Sequence, residues 1–470
     1  MTLLTVRRPY ARLSRHFLTT AILIAAVLCA GCHRGAQDQE QTQYGRLPDT
    51  LRVATLYGPT SYFIYRGEPM GYDYTLADSL ARQKGMVLDL KVATSLSNAV
   101  AMLDSGKVDL IAYNVPITGH YKKYVLPCGP ETYTTQVLVQ PRQMGKAPIS
   151  DVTELAGKDV YVEDDSKYLR RLQNLDDEIG GGINIHEINA DTLITEDLVE
   201  MVSDGKIPLT IVDSDIAMLN STYYPDLDVS LEVSFPQRAS WAVAPDKPWL
   251  ADSINTWFAG PVPQQMNADL LKRYFEQTKY LPNVRFDFSK GYISKYDNLF
   301  RRYAPKVGWD WRLLAAQAYV ESRFNPNARS WVGATGLMQI MPSTARGYRT
   351  KVSSLRNPET SLNVATNLIN DLDSYLVKYV PDDKERLKFV IAAYNVGVAH
   401  VYDAIRLAEK YGLDPSKWEG NVERAILMKM NPKYYNDPVV RYGYCRGTET
   451  VAYVKQITDF YKQAQRHLNA

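Results

Sequence analysis

The chain has 470 residues and a mass of 53.2 kDa, which excludes a single small module. Hydrophobic residues make up 45% and charged residues 23%, the balance of a folded chain and not of a disordered one. A net charge of +2 excludes the strongly basic surface of a general nucleic-acid binder, and four Cys in this length exclude a disulfide-built scaffold. Tyr is abundant, 33 against 11 Phe and 7 Trp. A ring that pairs an apolar face with a hydroxyl suits sugar or peptide grooves as well as ordinary half-buried packing.

Residues 1–31 carry Arg7, Arg8, Arg12 and Arg15 and no acid, then an apolar run from Phe17 to Leu28 and Cys29-Ala30-Gly31-Cys32. A basic start, an apolar stretch too short for a stable span and small residues before a Cys read as a secretory signal. The Ala-Gly-Cys ending resembles a bacterial lipobox, which implies lipidation of Cys32, although Cys29 stands where Leu is usual. The other reading is plain cleavage to a soluble periplasmic protein. His33 after the modified Cys, in place of Asp, points to the periplasmic face of the outer membrane. Residues 32–50 are polar and poor in large apolar groups, a tether. Cys128 and Cys445 either pair in the oxidising periplasm or stay as two buried thiols.

The remainder divides near Pro282 into halves of opposite charge. Residues 32–283 hold 22 Lys+Arg against 34 Asp+Glu, and residues 284–470 hold 28 against 18. Two domains with different tasks follow, 51–282 and 283–470, the basic one suited to an anionic polymer. In the first, strands are expected at Leu51–Thr55, Val87–Val92 and Val108–Ala112, with helices at Asp73–Lys84 and Ser97–Ser105. A second such unit spans Val160–Val212, Trp241–Ala244 reads as a return strand, and helices follow near 248–259 and 266–277. This rhythm predicts an α/β sheet layered with helices.

The pieces LRVATLYGPTSYFIYRGEPMGYDYTLADSLARQKG, SLSNAVAMLDSGKVDLIAYNVPITGHYKKYVLPCGPE and SWAVAPDKPWLADSINTWF resemble the amino-acid-binding branch of the periplasmic solute-binding family. The resemblance implies two lobes that close on a ligand about a hinge. Asp73 is expected to cap the helix after Gly71. After Ile117-Thr118-Gly119-His120 the family usually carries an Arg that grips a carboxylate, and here Tyr121 stands in its place. Lys122 or Lys123 either substitutes or is simply solvated. The expected ligand is a muropeptide or another small molecule, and a vestigial pocket is the alternative.

The sharpest chemical signal is WDWRLLAAQAYVESRFNPNARSWVGATGLMQIMPSTA. Asp310 is a candidate N-cap, and Leu314, Ala318 and Glu321 share one helical face. A carboxyl on an apolar face is pushed towards its protonated form and becomes a proton donor near neutral pH. Glu321-Ser322, Asn325-Pro326, Gly333-Ala334, the Gly336–Pro342 run, Ala393–Gly397 and Glu449-Thr450 with Tyr453-Val454 together resemble the soluble-lytic-transglycosylase domain of the lysozyme-like superfamily. The order of anchor, solute-binding unit and this domain is similar to modular membrane-bound lytic transglycosylases. That family cleaves the β-1,4 bond between N-acetylmuramic acid and N-acetylglucosamine without water, and the muramyl 6-hydroxyl closes a 1,6-anhydro ring.

The expected architecture is therefore a two-lobed α/β unit followed by a mainly α lysozyme-like domain. The resemblance implies Glu321 as acid and base, with no obvious second acid beside it. Ser330 is expected to orient Glu321, Gln339 and Asn395 to meet N-acetyl groups, Tyr394 to offer a hydroxyl, and Met338 and Met341 to line the groove. Tyr453 and Ser322 stand between substrate contact and helix packing, and Gly333 and Gly336 permit tight turns. Partners are peptidoglycan glycan strands and, through the anchor, a membrane; no nucleic acid, cofactor or metal is expected, since His186-Glu187 lacks the second His of a zinc motif. The alternatives are a muramidase-type hydrolase and a ligand-binding lipoprotein whose second domain only docks to the wall.

Overall fold

A computed structural model describes residues 47–142, 145, 147–164, 166–188, 195–276 and 291–468. The signal segment, Cys32, most of the tether and the junction near residue 282 lie outside these residues. The first half is two five-stranded sheets, each layered with helices. One runs β4–β1–β5–β12–β6, from β1 (Thr50–Leu56), β4 (Val87–Ala93), β5 (Leu110–Pro116), β6 (Leu126–Thr134) and β12 (Gln237–Val243). The other runs β11–β7–β10–β8–β9, from β7 (Gln136–Pro141), β8 (Asp159–Glu163), β9 (Asn184–Ile188), β10 (Thr210–Asp213) and β11 (Leu227–Asp228). The chain passes from β6 to β7 through Thr135 alone and returns to β12, so two crossovers join two lobes. This is the expected two-lobed α/β unit. Strands and helices fall within a few residues of their expected positions, apart from the last helix, which starts at Pro261.

Asp73 departs from expectation. Helix α1 (Tyr72–Gln83) takes Gly71 as its N-cap, and Asp73 is instead buried in its first turn. The Trp241 indole N–H donates to Asp73 Oδ1 at 2.7 Å, tying α1 to β12. Burial outweighs this bond and pushes the carboxyl up to about 7. Lys122 and Lys123 are exposed on a short 3-10 turn. Cys128 and Cys445 are separate buried thiols in different halves, and burial pushes them up to about 12 and about 11.

One hairpin leaves the first lobe. Strands β2 (Phe63–Tyr65) and β3 (Glu68–Met70) pair with Tyr65 opposite Glu68, so Arg66-Gly67 form a two-residue turn. Both sit at positive φ, 51° and 79°, the geometry that matches strand twist. Arg66 holds a conformation that non-glycine residues rarely adopt.

The second half is helical around one core. Helix α2 (Trp311–Ser322) is almost wholly buried, α3 (Pro358–Leu376) and α4 (Asp383–Val396) pack beside it, and α5 (Val398–Lys410) and α6 (Gly447–His467) complete the set used below. Asp310 does cap α2, accepting from Arg312 N at 2.8 Å. The halves share apolar surface, since Met430 and Tyr444 join the core of the first lobe. No helix among the described residues is long and apolar enough to cross a membrane.

The buried Asp73 carboxyl yields a signed pH dependence. Its folded value lies above its unfolded one, so the fold holds the proton more tightly and loses stability as pH rises from about 4 to about 7. Asp73→Asn keeps an oxygen for Trp241 and removes the titration. Melting curves are expected to show the variant gaining on the native chain between pH 5 and pH 7, by about 1.4 kcal/mol per unit at most, and no further gain above. A gap that does not change with pH would mean the carboxyl stays charged in the fold.

Candidate functional site

The site forms where α2, α4 and α6 converge on the loop 330–341. Glu321 lies in the last turn of α2, and the chain reverses at once, with Arg323 and Phe324 at φ 52° and 60°. Ser322 Oγ donates to Leu337 O at 2.7 Å and to Ala318 O, locking the helix end to the loop. A Cβ at Gly336 would stand 2.1 Å from Leu355 O, so only glycine allows the loop to press this close. Gly333 turns at φ 89°. Met338 N donates to Ser361 Oγ at 3.0 Å, and the Tyr394 hydroxyl donates to Met338 O at 2.8 Å.

The Glu321 side chain is only 4% exposed. The Tyr453 hydroxyl donates to its Oε1 at 2.6 Å, and Gln317 Nε2 donates to Tyr453 at 3.3 Å behind it. Burial raises the affinity of the carboxyl for its proton, against the opposing pull of Arg66 and Tyr453. Glu449, from the first turn of α6, adds a second negative charge in the same direction. The second acid not expected beside Glu321 is therefore Glu449.

The structure brings Glu321, Tyr394, Asn395, Gln339 and Tyr453 together but gives several side chains other tasks. Ser330 Oγ accepts from Ala334 N and so shapes its own turn; this hydroxyl bonds the loop and not Glu321. The Gln339 amide donates to Ala328 O and Gly336 O, and Asn395 Oδ1 accepts from Thr450. Both amides brace the wall, because a buried amide is held by backbone or hydroxyl partners first. Met338 is fully buried in the core, while Met341 does line a cleft. Ser322 is structural, and Tyr453 touches the acid. No cluster of metal-ligating side chains occurs among the described residues.

The groove is filled by the hairpin of the other half. Arg66 Nη2 donates to both Glu321 oxygens, at 3.1 and 3.2 Å, Nη1 to Gln339 O at 2.8 Å and Nε to Asn395 O at 3.2 Å. Arg66 N donates to Val396 O, and the guanidinium lies 5.7 Å from the centre of the Tyr394 ring. Next to it the Tyr65 hydroxyl donates to Glu449 Oε1 at 3.3 Å. A Cβ on Gly397, at φ 97°, would meet Gly67 N at 3.1 Å, so that glycine lets the tip come in.

A buried charge cluster anchors the hairpin from below. Lys429 Nζ lies 2.7 Å from both Asp403 Oδ2 and His400 Nδ1, all three residues being fully buried. With Nδ1 accepting from Lys429, His400 carries its proton on Nε2 and donates it to Ile64 O at 2.8 Å. Burial and Lys429 hold this imidazole well below its usual range, so it stays neutral. Arg66 was not expected from sequence. The Arg-Gly pair between Phe-Ile-Tyr and Glu-Pro-Met is a hairpin signal, but nothing local states where the tip docks.

Residues 51–277 match the family of bacterial extracellular solute-binding proteins, family 3, and residues 298–415 match the transglycosylase SLT domain. Over 468 residues the chain is 31% identical to a membrane-bound lytic murein transglycosylase F from Desulfosudis oleivorans, covering 97% of this chain and 98% of that one. It is 32% identical to the Shewanella pealeana protein of the same name over 94% of this chain and 90% of that one. Among solved structures it is similar to an ancestral arginine-binding protein bound to arginine, with a TM-score of 0.39 and 20% identity over 49% of this chain and all of that one. With its paired solute-binding and SLT regions and its near full-length match, the chain belongs to the membrane-bound lytic murein transglycosylase F family.

Proposed function

We propose that Glu321 is the single acid and base of a peptidoglycan lytic transglycosylase, and that the docked hairpin is the enzyme at rest. The observation that carries the first part is a carboxyl only 4% exposed, held by Tyr453, at the meeting point of the family motifs. Protonated Glu321 donates to the glycosidic oxygen as the bond from muramyl C1 to that oxygen breaks. The resulting carboxylate takes the proton of the muramyl 6-hydroxyl as that oxygen bonds to C1, which restores the acid and leaves an anhydro sugar. The muramyl N-acetyl oxygen steadies the positive charge at C1 in between, and the attacking hydroxyl is favoured because it belongs to the same ring.

The proposed organisation is a signal segment 1–31, a tether 32–50, a ligand-binding unit 51–282 and a catalytic unit 283–470. Lipid on Cys32 would hold the protein on the periplasmic face of the outer membrane. The relatives named membrane-bound murein transglycosylases support an envelope location. A small ligand between the lobes, a muropeptide by the first reading, is the candidate signal for hairpin release.

Two measurements test these statements. Glu321→Gln is expected to lower release of anhydro-muropeptides from purified murein by about 100-fold or more while the melting profile keeps its shape. Mass analysis also separates the hydrolytic route, whose product is one water heavier, and near-native release by the variant would remove Glu321 from the mechanism. Arg66→Ala deletes the guanidinium but leaves the hairpin backbone, and the initial rate of the full-length protein on murein is expected to rise several-fold. An unchanged or lower rate would mean the hairpin does not restrain the enzyme.

A further inference from the structure

Between Leu313 and Val320 helix α2 carries Leu, Ala, Tyr and Val, and a single amide, Gln317. It lies one turn before Glu321 on the same face and is wholly buried. Its Nε2 donates to the Tyr453 hydroxyl at 3.3 Å, while its Oε1 accepts from no partner among the described residues. A buried amide oxygen left bare is costly, and an apolar side chain of this length would avoid that cost. The amide is therefore explained by the one bond it makes.

That bond fixes a direction. The Tyr453 phenol has one proton to give, and its oxygen lies 2.6 Å from Glu321 Oε1. With the Gln317 N–H on the phenol oxygen from behind, the proton points to Oε1. An amide turned the other way would draw that proton to its own oxygen and free the phenol to accept from a protonated Glu321. The two carboxyl oxygens are thereby made unequal. Oε1 has Tyr453 as a donor from within its own half, whereas the donor to Oε2 is Arg66 of the hairpin, at 3.2 Å.

We propose that Gln317 is a positioning residue: through Tyr453 it reserves Glu321 Oε1 as an acceptor and confines the working proton to Oε2, the oxygen bared when Arg66 withdraws. The proposal rests on Glu321 being the acid of the reaction proposed above. The proton leaves Oε2 for the glycosidic oxygen, and the proton taken from the muramyl 6-hydroxyl returns to Oε2, so the carboxyl does not turn between the two steps. Several groups set its ionisation. Burial raises its affinity for the proton, Arg66 of the hairpin and Tyr453 of α6 lower it, and Glu449 of α6 raises it. Tyr394 of α4 and Tyr65 of the hairpin also feel its charge. Tyr453 favours the carboxylate because it is held as a donor. Without Gln317 its proton is free to turn away, the phenol accepts from the protonated acid, and Glu321 keeps its proton to higher pH.

The test uses Gln317→Met, which keeps the length and helix propensity of the side chain but has no amide. Release of anhydro product from soluble murein glycan strands is followed against pH for the full-length chain and for full-length Arg66→Ala. In both, the alkaline limb of the profile is expected to move up by about half a pH unit, and kcat to fall about threefold at unchanged KM. Gln317→Leu, a second apolar replacement, is expected to do the same. Tyr453→Phe removes the group through which Gln317 acts, so adding Gln317→Met to it is expected to change neither the limb nor kcat. A limb that stays in place or moves down, a shift confined to the chain that keeps Arg66, or an equal shift in the Tyr453→Phe chain would each overturn the proposal. Glu321→Gln keeps the two readings apart. Near-native release by that variant counts against the acid, while release lost in it with an unchanged Gln317→Met profile counts against the positioning role alone.

Discussion

The ion pair between Arg66 and Glu321 is the constraint on which the arrangement of the two halves turns. The carboxyl is 4% exposed and the guanidinium 10%, so neither group has water to fall back on. Removing one member of such a pair costs about 3–5 kcal/mol, because the other is left charged and buried. The hairpin therefore docks with its arginine in place, and its backbone is shaped accordingly, with Arg66 itself at positive φ and Gly397 bare beneath it. Arg66 also lowers the carboxyl's affinity for a proton, against burial and Glu449, which raise it. On the proposed reading, uncovering the groove and arming the acid are one event, since withdrawal of the guanidinium takes away a force that favours the ionised form of Glu321.

Both lobes reach the catalytic half, which couples the hairpin to lobe geometry. From the first lobe come the hairpin and Tyr57, whose ring stands edge-on 6.0 Å from that of Tyr435. From the second, Asn220 Oδ1 accepts from Arg446 Nη2 at 2.9 Å, and the same guanidinium lies 3.7 Å from the centre of the Tyr223 ring. Arg446 immediately precedes α6, the helix that carries Glu449 and Tyr453. A change in the angle between the lobes cannot keep both sets of contacts. A ligand shifts that angle only through different affinities for the two lobe arrangements, and contacts made by one and lost by the other are where such a difference would be felt.

Much of this was legible in the chain because it is local. Alternation and helical spacing located the strands of the first lobe and α2 with its Asp310 cap, and the apolar face of α2 already marked Glu321 as a buried carboxyl. What was not legible is long-range. Asp73 reads as a cap from its place after Gly71, but the Trp241 indole 168 positions away claims its oxygen. Ser330 reads as a support for Glu321, and Gln339 and Asn395 as substrate contacts, yet polar groups are satisfied by their own fold first, and each meets the backbone or a neighbouring hydroxyl. Arg66 stands 255 positions from Glu321, and its turn would form identically wherever the tip came to rest.

The chemistry gives the hairpin a second consequence. Transglycosylation succeeds only if the muramyl 6-hydroxyl outpaces water at C1, and proximity supplies that advantage when the groove is dry. In the structure the hairpin covers it, with Tyr65 bonded to Glu449 and Arg66 to Glu321. Without the hairpin, Glu449 loses Tyr65, Glu321 loses Arg66 but keeps Tyr453, and the carbonyls of Gln339, Asn395 and Val396 lose the donors that Arg66 supplies. Buried acceptors left bare are costly, and a glycan rich in hydroxyl and amide N–H donors is suited to satisfy them. On the proposed reading, the acceptors that the hairpin satisfies are the ones the open groove offers to a strand.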